Sequence, residues 1–111
     1  MPIYIFQGRY TRQALEGLVA RPEDRAEASA KLLEAAGGKL LSFYLTLGEY
    51  DFMITAELPD IKAATAVSLI GAVDGTSENV RTIAAMTTAQ ARDAFATAGK
   101  LKGAFRPAGS A

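Results

Sequence analysis

Residues 39–58 read KLLSFYLTLGEYDFMITAEL, and Gly48 within them decides the fold. Glycine at the first position of a two-residue connection suits a type II′ hairpin, so the segment is expected to fold back about Gly48-Glu49. That register sets Leu47 opposite Tyr50, Leu45 opposite Phe52, Phe43 opposite Ile54 and Leu41 opposite Ala56, one continuous apolar face. The other face carries Leu40, Ser42, Tyr44 and Thr46 against Glu57, Thr55, Met53 and Asp51. A slip of one residue mixes the two sets, so the register is strongly specified.

On either side of this hairpin the apolar period changes from two to that of a helix. Upstream, residues 3–10 are β-branched and aromatic on both faces (Ile3 and Ile5 against Tyr4 and Phe6), the pattern of a central strand. Thr11 can cap a short helix running to Val19, which Arg21-Pro22 interrupts. Pro22 suits the first position of a second helix whose stripe is Ala26, Ser29, Ala30, Leu33 and Ala36, ended by Gly37-Gly38. Downstream, Pro59-Asp60 opens a helix with Ala63, Ala66, Val67, Ile70 and Val73 on one face. Asp74-Gly75 is a turn, residues 79–87 read as a last strand, and residues 88–99 as a C-terminal helix.

The expected fold is therefore α+β: a ferredoxin-like βαββαβ plait with a four-stranded antiparallel sheet in the order 4-1-3-2 and an extra C-terminal helix. Both crossover helices fall on one side of the sheet. Residues 1–98 form the domain and residues 99–111 a flexible C-terminal tail. The helix-free face, with Tyr44, Met53 and Leu40, is too apolar to stay wet. The expected cover is a second copy, giving a homodimer or higher oligomer that closes a dimeric α/β barrel.

Composition narrows the chemistry. The chain of 111 residues has 12 Lys plus Arg and 12 Asp plus Glu, so it lacks the basic excess of a nucleic-acid binder. It contains no Cys and no His, which excludes Ser-His and Cys-His catalysis, disulfides and the usual zinc or haem ligand sets. No metal or other cofactor is implied. There is no leader pattern or membrane-spanning run, so the expectation is a cytoplasmic protein with neither nucleic acid nor membrane as partner.

In this topology the end of the first strand, the hairpin turn and the start of the last strand share one edge. Arg9, Tyr10, Tyr50, Asp51 and Arg81 gather there, an arrangement suited to a small anionic metabolite. Asp51 can instead take backbone N–H groups near the turn and fix the hairpin. Tyr44, on the open face, is either an interface residue or a cavity-lining acid.

Tyr4 in a strand leading to Tyr10-Thr11, Gly37-Gly38-Lys39, FYLTLGEYDF with Gly48, Tyr50 and Asp51, and Asn79-Val80-Arg81-Thr82 occur in order over residues 3–95. In this the chain resembles the GYD-domain family, small bacterial proteins for which the resemblance implies a ferredoxin-like, dimeric α/β-barrel type of fold. It departs from the family pattern at Leu45, where Trp is frequent, at Gln7, where an apolar residue is frequent, and at Ala14, where Gly is. The resemblance carries no reaction and no catalytic residues.

Three functions fit these residues. The first is a homo-oligomeric small-molecule-binding or regulatory module. The second is a cofactor-independent isomerase or monooxygenase of the dimeric-barrel type, using Tyr44, Tyr50 or Asp51 as acid or base. The third is a purely structural role in a larger assembly, and a minor alternative is a tautomerase working through a free Pro2 amine. Met1 precedes Pro2, and acylation by Met1 removes the basic lone pair that chemistry needs.

Overall fold

In the computed structural model, which describes residues 1–110, β1 (Ile3–Tyr10) is followed by α1 (Arg12–Ala20) and α2 (Arg25–Ala35). The hairpin strands are β2 (Lys39–Leu45) and β3 (Phe52–Glu57), followed by α3 (Ile61–Val73), β4 (Ser77–Ala85) and α4 (Thr88–Leu101). A 3-10 turn over Lys102–Ala104 continues α4. The strands lie in the order β2-β3-β1-β4, all neighbours antiparallel. This is the expected 4-1-3-2 order read from the other edge.

The central strand sets the two faces. Tyr4, Phe6, Gly8 and Tyr10 of β1 are buried, while the residues between them are more exposed. Tyr4 and Phe6 pack with Ala56 and Leu58, and over them lie Leu33 of α2 and Ala64 of α3. Both helices thus cover one face, but they stand over opposite edges: α2 on β2 and α3 on β4.

Helix boundaries follow their caps. Thr11 accepts from the Ala14 N–H at 3.1 Å and starts α1 as expected. The start of α2 differs: its first helical residue is Arg25, not Pro22, and Asp24 is the N-cap, its carboxylate accepting from the Ala26 N–H at 2.9 Å. An acidic cap both satisfies an orphan N–H and meets the positive helix end, which Arg21, the cap that a start at Pro22 would use, cannot do. At the far end the Gly38 N–H reaches the Leu33 carbonyl at 2.8 Å and that of Gly37 the Glu34 carbonyl at 3.0 Å. With Gly37 at φ +87°, this is a Schellman termination.

The hairpin keeps its expected register from Ser42–Thr55 through Leu45–Phe52 and departs from it at both ends. Near the base, Leu41 is bulged and Leu40, not Leu41, pairs with Ala56. Leu40 therefore joins the core side and not the open face. At the turn, no Leu47–Tyr50 pair forms, and Leu47 is 97% exposed. The Tyr50 carbonyl such a pair needs is taken by the Thr46 hydroxyl at 2.6 Å, and the Thr46 N–H closes on the Asp51 carbonyl at 2.8 Å.

Three further elements differ from expectation. The inward stripe of α3 is Ala63, Ala64, Val67, Ser68 and Gly71, whereas Ala66 and Val73 face outward. Gly71 fixes this rotation, since a Cβ there would lie 2.6 Å from the Ser77 hydroxyl on β4. The last strand begins at Ser77 and ends at Ala85, two residues earlier than expected. Ser77 pairs with Tyr10, which places this polar residue inside the ladder and buries it. Finally, α4 runs two residues past its expected end, into the segment read as tail.

Beside Tyr10, β4 holds one residue more than β1. Gln7 pairs with Arg81 and Arg9 with Glu78, and the register shifts between them. Asn79 takes up the extra length at φ +52°, a left-handed conformation that Asn tolerates better than most residues.

Candidate functional site

The separation of α2 from α3 leaves a cleft of about 270 Å³ above the centre of the sheet. Small inner side chains create it: Ala28 and Ser29 on α2, Ser68 and Gly71 on α3. Its floor is aromatic. The Phe52 ring lies 5.2 Å from that of Tyr10 and 6.2 Å from that of Phe43, both tilted, within the favourable range for aromatic pairs. Gly8 lets the Phe52 ring lie against β1, since a Cβ there would stand 2.6 Å from its Cζ. Phe6, Leu33, Ile54 and Val67 complete the apolar lining.

One end of the cleft is polar, bordered by Tyr10, Arg25, Asp74, Thr76 and Ser77. Burial raises the Tyr10 phenol above its ordinary pKa; Arg25 pulls it back, and the carboxylates of Asp51 and Glu23 push it up again. At neutral pH Tyr10 is therefore a neutral hydroxyl, a hydrogen-bond donor and not a base. Stability follows. The folded chain holds a proton that the unfolded chain gives up near pH 10, so Tyr10 favours unfolding as pH rises above 10. Urea unfolding between pH 9 and 11 should show a steeper alkaline loss of stability in the wild type than in Tyr10→Phe, the two slopes matching at pH 7–9.

The residues expected to form a site on the rim are divided between the two faces. Asp51 and Tyr10 are brought together, but through the backbone: the Asp51 carboxylate accepts from the Tyr10 N–H at 2.9 Å. The Asp51 N–H in turn donates to the Gly8 carbonyl at 2.8 Å, pinning the start of β3 to β1. Arg81 stands 5.9 Å from the Tyr50 ring centre, a cation–π arrangement. Arg9 is exposed and pairs in the ladder with Glu78. Tyr44 is 60% exposed on the open face, opposite Met53 and on the far edge strand from Arg81. Neither Arg9 nor Arg81 forms a salt bridge among the described residues. Pro2 is exposed at the other end of β1 from Tyr10, roughly 25 Å along the strand.

Of the site residues expected from sequence, only Tyr10 borders the cleft. Arg25, Phe43, Phe52 and Ser77 escape a motif search because they are separated in sequence and serve equally as packing residues. The signal that was present is the run of Ala and Ser on the inner stripe of α2, too little volume to fill the space above three aromatic rings.

Among the described residues no group of His, Cys, Asp or Glu is arranged as a metal ion would need, and no helix is long and apolar enough to cross a membrane. No curated protein matches the chain at a significant level. Three solved structures are similar over 78% of it. They are FFRP-DM1 (18% identity, all of that chain covered, TM-score 0.47), a hypothetical protein from Pyrococcus horikoshii (17%, 92%, 0.46), and an antibiotic biosynthesis monooxygenase (14%, 98%, 0.43). Folds of this kind host many unlike functions. The family model that matches is that of the GYD domain, over residues 4–95.

Proposed function

The chain belongs to the GYD-domain family, and on that footing we propose that it is a homo-oligomeric module that binds a small molecule between α2 and α3. The cleft carries this reading. Its volume of about 270 Å³ lies just below the range of roughly 300–1,000 Å³ common for small-molecule sites, so the ligand is a small metabolite. The aromatic floor suits a flat or aliphatic body. At the polar end the Tyr10 hydroxyl and the Arg25 guanidinium, whose Nη1 also meets the Glu23 carboxylate at 3.3 Å, suit an accepting head such as a carboxylate seated away from Asp74. The partner is a second copy covering the open face, where Ile3, Ile5, Met53 and Ile83 lie across three strands and Tyr44 adjoins them on the fourth. An antiparallel sheet with a wet face normally alternates apolar with polar, and at Ile3, Ile5, Met53 and Ile83 this one does not.

The buried phenol bears on the enzyme alternative, an isomerase or monooxygenase working without cofactor. With its pKa raised, Tyr10 can give a proton but cannot take one at neutral pH. The other candidate base bordering the cleft is the Asp74 carboxylate, whose Oδ1 already accepts from the Thr76 N–H at 3.0 Å.

The test is calorimetric titration with aromatic and medium-chain carboxylates, with the matching amines as controls. The carboxylates should bind and the amines should not. Ser29→Phe, which fills the cleft from α2, should weaken binding at least tenfold while leaving the circular dichroism spectrum unchanged. Equal affinity in Ser29→Phe, or no binding across the panel together with no adduct in native mass spectra of protein isolated from its host, would overturn the reading.

A further inference from the structure

α4 packs appreciably only against the 3-10 turn that continues it. Yet it is patterned to be covered: Ala91, Ala94, Phe95, Ala98 and Leu101 recur at i, i+3, i+4, i+7 and i+10, the spacing of one apolar helix face. Phe105 extends the apolar content past the helix. Phe95 is 74% exposed, Leu101 60% and Phe105 78%. The polar residues Arg92, Asp93, Thr97 and Lys100 lie off this stripe.

The direction of the helix is fixed. Only Met86 and Thr87 separate it from β4. Thr87 accepts from the Gln90 N–H at 3.1 Å, and the Gln90 side chain accepts from the Thr87 N–H at 2.9 Å, a complete capping box. The result is an arm that leaves the body of the domain. The radius of gyration is 18.1 Å and the longest dimension 64 Å, against roughly 13 Å for the radius of a compact domain of this length. The exposed surface is 7961 Å², about 2,000 Å² more than a compact monomer of this mass shows. That excess is what each chain brings to an extensive obligate dimer, where the two partners together bury roughly 2,000–5,000 Å². A 14-residue helix alone in water is also marginal by itself, so the arm needs a surface.

We propose that this arm, residues 88–105, docks its Phe95–Leu101 stripe on a second copy of the chain, so that two copies clasp one another. A second copy is the occupant because the arm springs directly from β4, whose residues Ile83 and Ala85 belong to the open face already assigned to dimer contact. One partner can cover both surfaces. The inference rests on the dimer proposed above and adds that the arm, and not the sheet face alone, holds it together.

The test uses the full chain. With benzoylphenylalanine in place of Phe95, irradiation should give a product of twice the chain mass. Sedimentation velocity should show the dimer dissociation constant rising at least 100-fold in Phe95→Glu/Leu101→Glu, with circular dichroism confirming that the sheet is kept. Cross-links confined to one chain, or a wild-type dissociation constant in the double variant, would overturn the arm and leave the dimer standing. A wild-type chain that sediments as a monomer at every concentration would overturn both. Ile83→Glu separates the two surfaces: if it abolishes the dimer while the arm variant does not, the sheet face alone is responsible and the clasp is refuted.

Discussion

Alanine at Gly38 should lower the unfolding free energy by about 3 kcal/mol, at the upper end of what overpacking usually costs. The residue closes the Schellman turn and precedes β2, beside the end of β3. A Cβ there would run into the Glu57 carbonyl oxygen and stand 2.7 Å from Leu58 Cδ2. Leu58 can turn aside, but the carbonyl cannot, because β3 is held by β1 and β2 on its two sides. One methyl group must therefore move backbone. For a domain of this size the loss corresponds to a fall in melting temperature of roughly 15 °C. Gly17→Ala is the control. Gly17 lies exposed inside α1 with nothing within 4 Å of its ideal Cβ, so alanine there should raise stability by about 0.5–1 kcal/mol. A Gly38→Ala protein that melts with the wild type would show that the junction between α2 and β2 is free to shift.

The second large effect is expected at Leu58. Its accessibility is 0%, and it closes the core beneath Tyr4, Leu33, Ala56 and Ala64. Its N–H donates to the Pro2 carbonyl at 3.1 Å, so its backbone is anchored and cannot follow a shortened side chain into the space. Leu58→Ala should destabilise by about 3–4 kcal/mol, the transfer loss plus an uncollapsed cavity. Chemical denaturation should show the midpoint falling with an unchanged slope. A loss below about 1 kcal/mol would mean that the core repacks around the site. The two substitutions meet at Leu58 Cδ2, so the double variant should lose less than the two separate losses combined.

The hairpin register was legible from Ser42–Thr55 to Leu45–Phe52 because alternation over these four pairs leaves only one way to put Phe43, Phe52 and Ile54 on the same side. The bulge at Leu41 was not, since two adjacent leucines offer the same hydrophobicity to either face. For α3 the difficulty is similar: a helix apolar on nearly every side has no preferred orientation until Gly71 meets Ser77. The start of β4 was hidden because Thr76, Ser77, Glu78 and Asn79 look like a loop, whereas Ser77 takes its place only through its pairing with Tyr10. The cleft was the least visible. A site made of missing volume has no residue of its own to announce it, and its aromatic floor reads from sequence as ordinary core.

The extra residue at Asn79 has a consequence best stated as parity. Between Tyr10 and Gln7 two residues intervene on β1, and the pairing partners Ser77 and Arg81 have three between them on β4. An odd residue absorbed in a left-handed step leaves the alternation on either side intact, so Ser77 faces the cleft and Glu78 faces away from it. Shortening the chain by Asn79 itself preserves every assignment of side chain to face. Keeping the length but straightening the step, as Val at 79 would, inverts the assignments upstream and turns a carboxylate toward the aromatic floor. At this point in β4, a deletion conserves the fold's bookkeeping better than a substitution.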